Sequence, residues 1–334
     1  MVQILRFSKT KKLYAICALG ILFASCSKDE SVHSFDNNKI NLVIADNFNL
    51  SAFSASLRRA SLDQELQNGQ GPYTTLAPSD VAFANAGYSG AVSVLSADAG
   101  VISRIARYHT LDGKYELNKL PFLFNQELRS RGGRMYATHW IKGTDTVLTL
   151  NGARVLAKNI PASNGLIQVI DKVLTPYLHD LITDAISADA SITLFAEALR
   201  TSGIMQTLSD KGTYTIFAPN NSAMQALGYH SVEQISATNP AVLKTLVNYH
   251  IVNDRRFIYD YILSTGGSNT TRQATAEGNS ITIKLTSNPN VPGGFSGITL
   301  RGIGNTADVN IVKQDALAGN GILHIIDSGL RITQ

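Results

Sequence analysis

Apolar residues recur along this chain with two periods, and the same succession of periods is written twice. Val101, Ile102, Ile105 and Tyr108 stand at i, i+1, i+4 and i+7, and so do Val242, Leu243, Leu246 and Tyr249. That spacing predicts a helix with one buried stripe, ending in a Tyr-His pair each time, Tyr108-His109 and Tyr249-His250. Helical periodicity also covers residues 53–66 and 181–208. Thr74-Thr75-Leu76 and Thr215-Ile216-Phe217 are short β-branched and apolar runs, which predict strands. Each runs into Ala-Pro, where a missing N–H stops a central ladder. Ser79 or Asp80, and Asn220 or Asn221, then offer side-chain oxygens to cap a following helix. After each Tyr-His pair the period shortens to that of strands. These are expected at 147–150, 153–156 and 166–170, and again at 280–285, 298–300, 309–312 and 322–326. Helices first and strands later predict an α+β fold.

The repetition extends to residue identity. Residues 73–80 return as 214–221, and Tyr108-His109 returns at the same offset. Asn164-Gly165-Leu166-Ile167-Gln168-Val169-Ile170-Asp171 returns as Asn320-Gly321-Ile322-Leu323-His324-Ile325-Ile326-Asp327, displaced further by about one loop. The period exceeds that of solenoid repeats and suits a domain with its own core, of ~100–150 residues. The chain is read as two tandem modules, 38–176 and 177–334. Gly- and Pro-rich stretches at 266–269 and 289–297 are expected to hold most of the second module's growth.

Composition changes the picture only at the N-terminus. Arg6, Lys9, Lys11 and Lys12 precede an apolar run at 13–25, too short for a membrane span of ~20 residues. Residues 1–25 read as a signal peptide. Phe23-Ala24-Ser25-Cys26 resembles the bacterial lipobox, in which Cys26 would be acylated. Ser27-Lys28-Asp29-Glu30 resembles the surface-export signal of Bacteroidetes lipoproteins, and 26–37 reads as a polar tether of at most ~40 Å. The expected location is therefore the bacterial outer membrane, lipid-anchored and exposed at the cell surface. Cys17 and Cys26 are the only two cysteines, so disulfides do not hold the modules together. Of the 29 basic residues, four belong to the signal, and the remainder balance the 25 acidic ones. A neutral mature chain gives no electrostatic case for nucleic acid.

The blocks beginning at Tyr73 and Tyr214, the Tyr-His pairs and the Asn-Gly segments resemble the fasciclin domain, in family order and twice over. The departures are Leu76 for Phe, Gln168 where His324 keeps the family histidine, and Asn159 where Asp315 keeps the family acid. The resemblance implies two wedge-shaped α+β domains, each a β-sandwich core with flanking helices. It implies adhesion or matrix binding and no catalytic machinery.

Candidate sites follow. The family's ligand-contacting region lies near the Tyr-His pair, but Tyr108, His109, Tyr249 and His250 read first as buried, hydrogen-bonded structural residues. The segment 314–321 resembles the integrin-contacting segment of animal members, through Asp315 and Leu317. A carboxylate on an exposed turn can complete a receptor's metal site. It can equally order the turn into the last strand. Trp140, beside His139, is either a sugar-stacking platform or a core-edge aromatic. His33, His139, His179, His230 and His324 form no pair at i+2 or i+4, and no nucleophile elbow or phosphate loop occurs, so no metal, cofactor or enzyme activity is expected. The expected function is adhesion to an extracellular protein or glycan. The alternative is ligand capture for an outer-membrane glycan-uptake system.

Overall fold

The computed structural model describes residues 36–333, apart from 211 and 292. The signal, Cys26 and most of the tether lie outside the described residues. The first module has strands β1 (Tyr73–Pro78), β2 (Thr110–Asp112), β3 (Gln126–Ser130), β4 (Gly133–Lys142), β5 (Asp145–Leu150), β6 (Ala153–Ala162) and β7 (Gly165–Ile170). The second has β8 (Tyr214–Pro219), β9 (Ile251–Val252), β10 (Thr270–Ala274), β11 (Ser280–Ser287), β12 (Phe295–Arg301), β13 (Val309–Ala318) and β14 (Gly321–Ile326). The sheet orders are β2-β1-β7-β6-β5-β4-β3 and β10-β11-β12-β13-β14-β8-β9, which is one topology used twice. Each module is a wedge-like β-sandwich with flanking helices.

In each module one parallel pair, β1 with β7 and β8 with β14, separates two cores. Because side chains alternate along a strand, Ala77 and Ile167 face the helices while Leu76 and Ile170 face the sandwich interior. In the second module Ala218 and Leu323 face the helices, and Phe217 and Ile326 the sandwich. The helices Ser51–Arg59 and Ala99–Tyr108, and their counterparts Thr193–Thr201 and Pro240–Asn248, pack on the cores; of the stripes read from sequence Ile102, Ile105, Tyr108, Leu243 and Tyr249 are buried, whereas Val101 and Leu246 are half-buried and Val242 is 53% exposed.

The helical stretches are more broken than their periodicity suggests. Residues 53–66 are interrupted at Ser61, which sits at φ 56°, and 181–208 divides into Ile182–Ala188, Thr193–Thr201 and Ile204–Thr207. The second module's growth is also more dispersed than its two Gly- and Pro-rich stretches suggest. The turns 131–132, 143–144 and 151–152 become 275–279, 288–294 and 302–308, and the helix Ile258–Ser264 is added.

Candidate functional site

The recurring motif residues hold backbone in place. His109 is wholly buried, donates from Nδ1 to the Ile105 carbonyl at 2.8 Å and accepts the Leu174 N–H on Nε2 at 3.0 Å. His250 does the same with Leu246 at 2.9 Å and Leu330 at 2.9 Å. Burial pushes both imidazoles down to about 4, so they are neutral at pH 7. Each histidine thus ties the end of a helix to the segment after the last strand of its module. The Tyr108 hydroxyl donates to Arg134 O at 2.8 Å and accepts Asn151 Nδ2 at 2.7 Å. Tyr249 donates to Ser280 O at 3.1 Å and accepts Ile303 N at 3.0 Å.

The Asn-Gly blocks are equally structural. Asn164 accepts Ile40 N at 2.9 Å and donates to Leu66 O at 2.7 Å; Asn320 accepts Ile182 N at 2.6 Å and donates to Leu208 O at 2.8 Å. A Cβ on Gly165 would run into the Tyr73 carbonyl, and one on Gly321 would meet Tyr214 O at 2.8 Å. Ser79 and Asn220 cap the next helices through Ala82 N and Ala223 N, at 3.2 and 2.8 Å.

Asp315 is not on an exposed turn. It lies within β13, at a bulge with φ 58°, and its side chain is only 11% exposed. Its N–H donates to His324 Nδ1 at 3.1 Å, and its carboxylate accepts Ile258 N at 2.8 Å and pairs with Lys172 of the first module at 3.4 Å. Asn159 occupies the matching bulge at φ 54°, held by Gln168 Oε1 at 2.9 Å and Nε2 at 2.7 Å. Two of the three departures noted from the sequence, Asn159 and Gln168, therefore fall on residues that answer each other. Leu317 packs with Tyr136, Phe257 and Ile322, a small apolar cluster drawn from both modules.

Asp315 and Leu317 thus belong to a junction whose other members sequence reasoning missed. The helix Ile258–Ser264 packs on β4 of the first module. Asp260 is wholly buried there and accepts Thr138 Oγ1 at 2.8 Å, Phe257 N at 2.9 Å and Asn125 Nδ2 at 3.3 Å. Burial pushes its carboxyl up to about 6, against the opposing pull of these hydrogen bonds and of Arg256; Asp315 raises it further. The Arg255 guanidinium lies 3.8 Å from the centre of the Tyr136 ring and donates to Gly319 O at 2.8 Å. Arg256 lies 4.5 Å from the ring of Phe124, and Lys142 Nζ reaches Thr265 O at 2.6 Å.

Trp140 sits apart from Asp315 and Leu317. It is half-buried on β4, its ring 4.5 Å from that of Phe124, and it lines a recess with Lys142, Thr265 and Gly266. Among the described residues no cluster of three or more His, Cys, Asp or Glu could hold a metal ion, and no helix is long and apolar enough to cross a membrane.

The profile of the fasciclin domain family matches residues 48–176 and 190–332. Periostin of Homo sapiens is 30% identical over 278 residues, covering 81% of this chain and 29% of periostin. The transforming growth factor-beta-induced protein ig-h3 of Sus scrofa is 26% identical over 270 residues, covering 81% of this chain and 36% of that protein. The chain spans about a third of the length of these curated relatives. The solved FAS1 domain pair from the insect cell adhesion molecule fasciclin I aligns over 84% of this chain and 97% of its own, with a TM-score of 0.41 and 17% identity.

Proposed function

The chain belongs to the fasciclin domain family, and from that membership we propose that it is a non-catalytic adhesion protein, presenting two joined modules to an extracellular protein or glycan. The observation that carries this reading is where the polar motif residues go. The buried imidazoles of His109 and His250 and the side chains of Asn164 and Asn320 are taken up by backbone partners. Recognition is thereby left to surfaces outside the motif. Trp140, with its recess, is the first surface residue to test. Asp315 and Leu317 act through the junction they help to fix. In this reading Cys26 carries the lipid and the polar tether holds the modules at the outer surface of a bacterial outer membrane.

The test is adhesion of cells displaying the full chain to immobilised matrix proteins, alongside a glycan array. Retention that Trp140→Ala weakens, with unfolding temperature unchanged, supports the reading. Cells with and without the chain adhering alike to every surface, and an empty array, would remove it.

A further inference from the structure

Phe48 is 95% exposed, the highest value among the exposed large apolar side chains of the described residues. It opens the short 3-10 turn Phe48–Leu50, which is fixed on both sides of it. Asn47 Oδ1 accepts Asn49 N at 3.0 Å, and Leu50 is buried in the helical core. The ring is therefore held outward by a turn that does not use it.

The second module builds the same turn without the ring. Asp189 Oδ1 accepts Ser191 N at 3.0 Å, Ile192 takes the buried place of Leu50, and Ala190 stands where Phe48 stands. The fold thus asks for the cap and the buried aliphatic side chain, and for no aromatic ring. Val81, on the helix Asp80–Asn85 that packs against the turn, is 69% exposed and corresponds to Ser222. Scattered surface aliphatics are ordinary and call for no partner. What sets this corner apart is its place in the chain.

The tether enters the first module here. Asn37 and Asn38 share a recess with Asn47 and Phe48. Asp36 is fastened to the module, accepting the Ser163 hydroxyl at 2.6 Å and Asn38 N at 3.0 Å. Only residues 26–35 separate this point from Cys26, and ten residues reach at most ~35 Å. Whatever holds Cys26 therefore keeps this corner close to it. The charged member of the recess is Asp46, which offers nothing to an anionic headgroup. A contact here is made by apolar insertion and not by charge.

We propose that Phe48, with Val81 on the adjoining helix, inserts into the headgroup–acyl boundary of the bilayer that anchors the chain. The first module then rests on the membrane instead of hanging free on its tether. The proposal rests on the reading of Cys26 as the lipidated residue. A lipid surface is favoured over a second copy of the chain because the tether holds this corner, and not its counterpart at Ala190, within reach of the bilayer.

The test uses the full chain, processed in cells and purified from their membranes. Mass spectrometry of its N-terminus first establishes whether Cys26 carries acyl chains. The chain is then reconstituted in vesicles of equimolar phosphatidylcholine and phosphatidylethanolamine, with bromine on the acyl chains near the headgroup. Trp140 is the only tryptophan and gives a common background, so Phe48→Trp and Ala190→Trp each add one reporter. Both positions are exposed, and unfolding temperatures should match the parent chain. The emission added by Phe48→Trp should fall by about half or more relative to unbrominated vesicles, as expected for a ring at the acyl boundary. That added by Ala190→Trp should not change. An acylated chain in which both reporters are quenched alike, or neither is, overturns the proposal and leaves the lipoprotein reading standing. A Phe48→Trp emission shifted to the blue but unquenched also overturns it, in favour of a second copy at this corner. A chain without acyl groups on Cys26 removes the anchored reading and this proposal with it.

Discussion

The hydroxyl of Thr138, on β4 of the first module, donates to the carboxylate of Asp260 in the second at 2.8 Å. Neither residue belongs to the repeated motif. Asp260 also reaches back to Phe257 N, capping the first turn of its own helix. One carboxylate therefore shapes the second module's added helix and fastens it to the first module. Its hydrogen bonds answer the cost of burying a charge without removing it.

A pH signature follows from this pair. The Asp260 pKa is raised from 3.8 to about 6 in the folded protein, so its favourable contribution is fully present below pH 3.8 and is lost as pH rises through 6. The difference amounts to about 3 kcal/mol. Asp260→Asn, which mimics the protonated group, should therefore look more favourable relative to wild type at pH 7 than at pH 4. Paired denaturant titrations at the two pH values check this. Parallel profiles for both proteins would mean that Asp260 stays ionised across the range.

The histidines work in the opposite direction. His109 and His250 are depressed from 6.5 to about 4, so the stability they lend is present above pH 6.5 and lost as pH falls towards 4. With two such groups, overall stability should drop on acidification despite Asp260. His109→Ala or His250→Ala should cost about 1–3 kcal/mol at pH 7, because a buried carbonyl and a buried N–H lose their partner. Adhesion per folded molecule should be unchanged. If His250→Ala keeps full stability and abolishes adhesion, the Tyr-His pair is the ligand site.

The sequence disclosed what both modules share. Period, block identity and chain order located β1, β5 to β8 and β11 to β14, narrowed the caps to Ser79 or Asp80 and Asn220 or Asn221, and marked the buried Tyr-His pairs, because each acts within its own module; the strands β2, β3, β4, β9 and β10 were not read from it. It disclosed little of the junction. Thr138 and Asn125 meet Asp260 across more than 120 positions, and no local spacing encodes that contact. Asp315 was visible as a candidate, but its seat in a strand bulge depends on His324, nine residues on and in the next strand. A hint lay in the unmatched segment 258–264, whose apolar Ile258, Tyr261 and Ile262 have no counterpart spacing in the first module.

Among the described residues each module has two hydrophobic clusters of its own, and of these clusters only that of Tyr136, Phe257, Ile322 and Leu317 is shared. Residues 38–176 should therefore unfold cooperatively when expressed alone. Their unfolding temperature should lie several degrees below that of the full chain, since Tyr136 and Thr138 lose their cover. Calorimetry with near-ultraviolet dichroism is the check. A broad transition without fixed aromatic signals would show that the first module needs the second to order its sandwich.

Cys26 lies outside the described residues, and its role is tested in cells. Each methylene of a buried acyl chain is worth about 0.8 kcal/mol, so several chains on one residue hold a protein to a membrane without further contact. Cys26→Ser should release soluble chain or leave an uncleaved precursor. Mass spectrometry of the N-terminus distinguishes the two, and labelling of intact cells separates surface exposure from anchoring. Substituting Lys28-Asp29-Glu30 by Ala should retain the lipid and lose the surface label if that run directs export. A cleaved, unlipidated N-terminus in a fully membrane-bound wild-type chain would end the lipoprotein reading. The Asp260 and His250 predictions concern residues within the two modules and would stand unchanged.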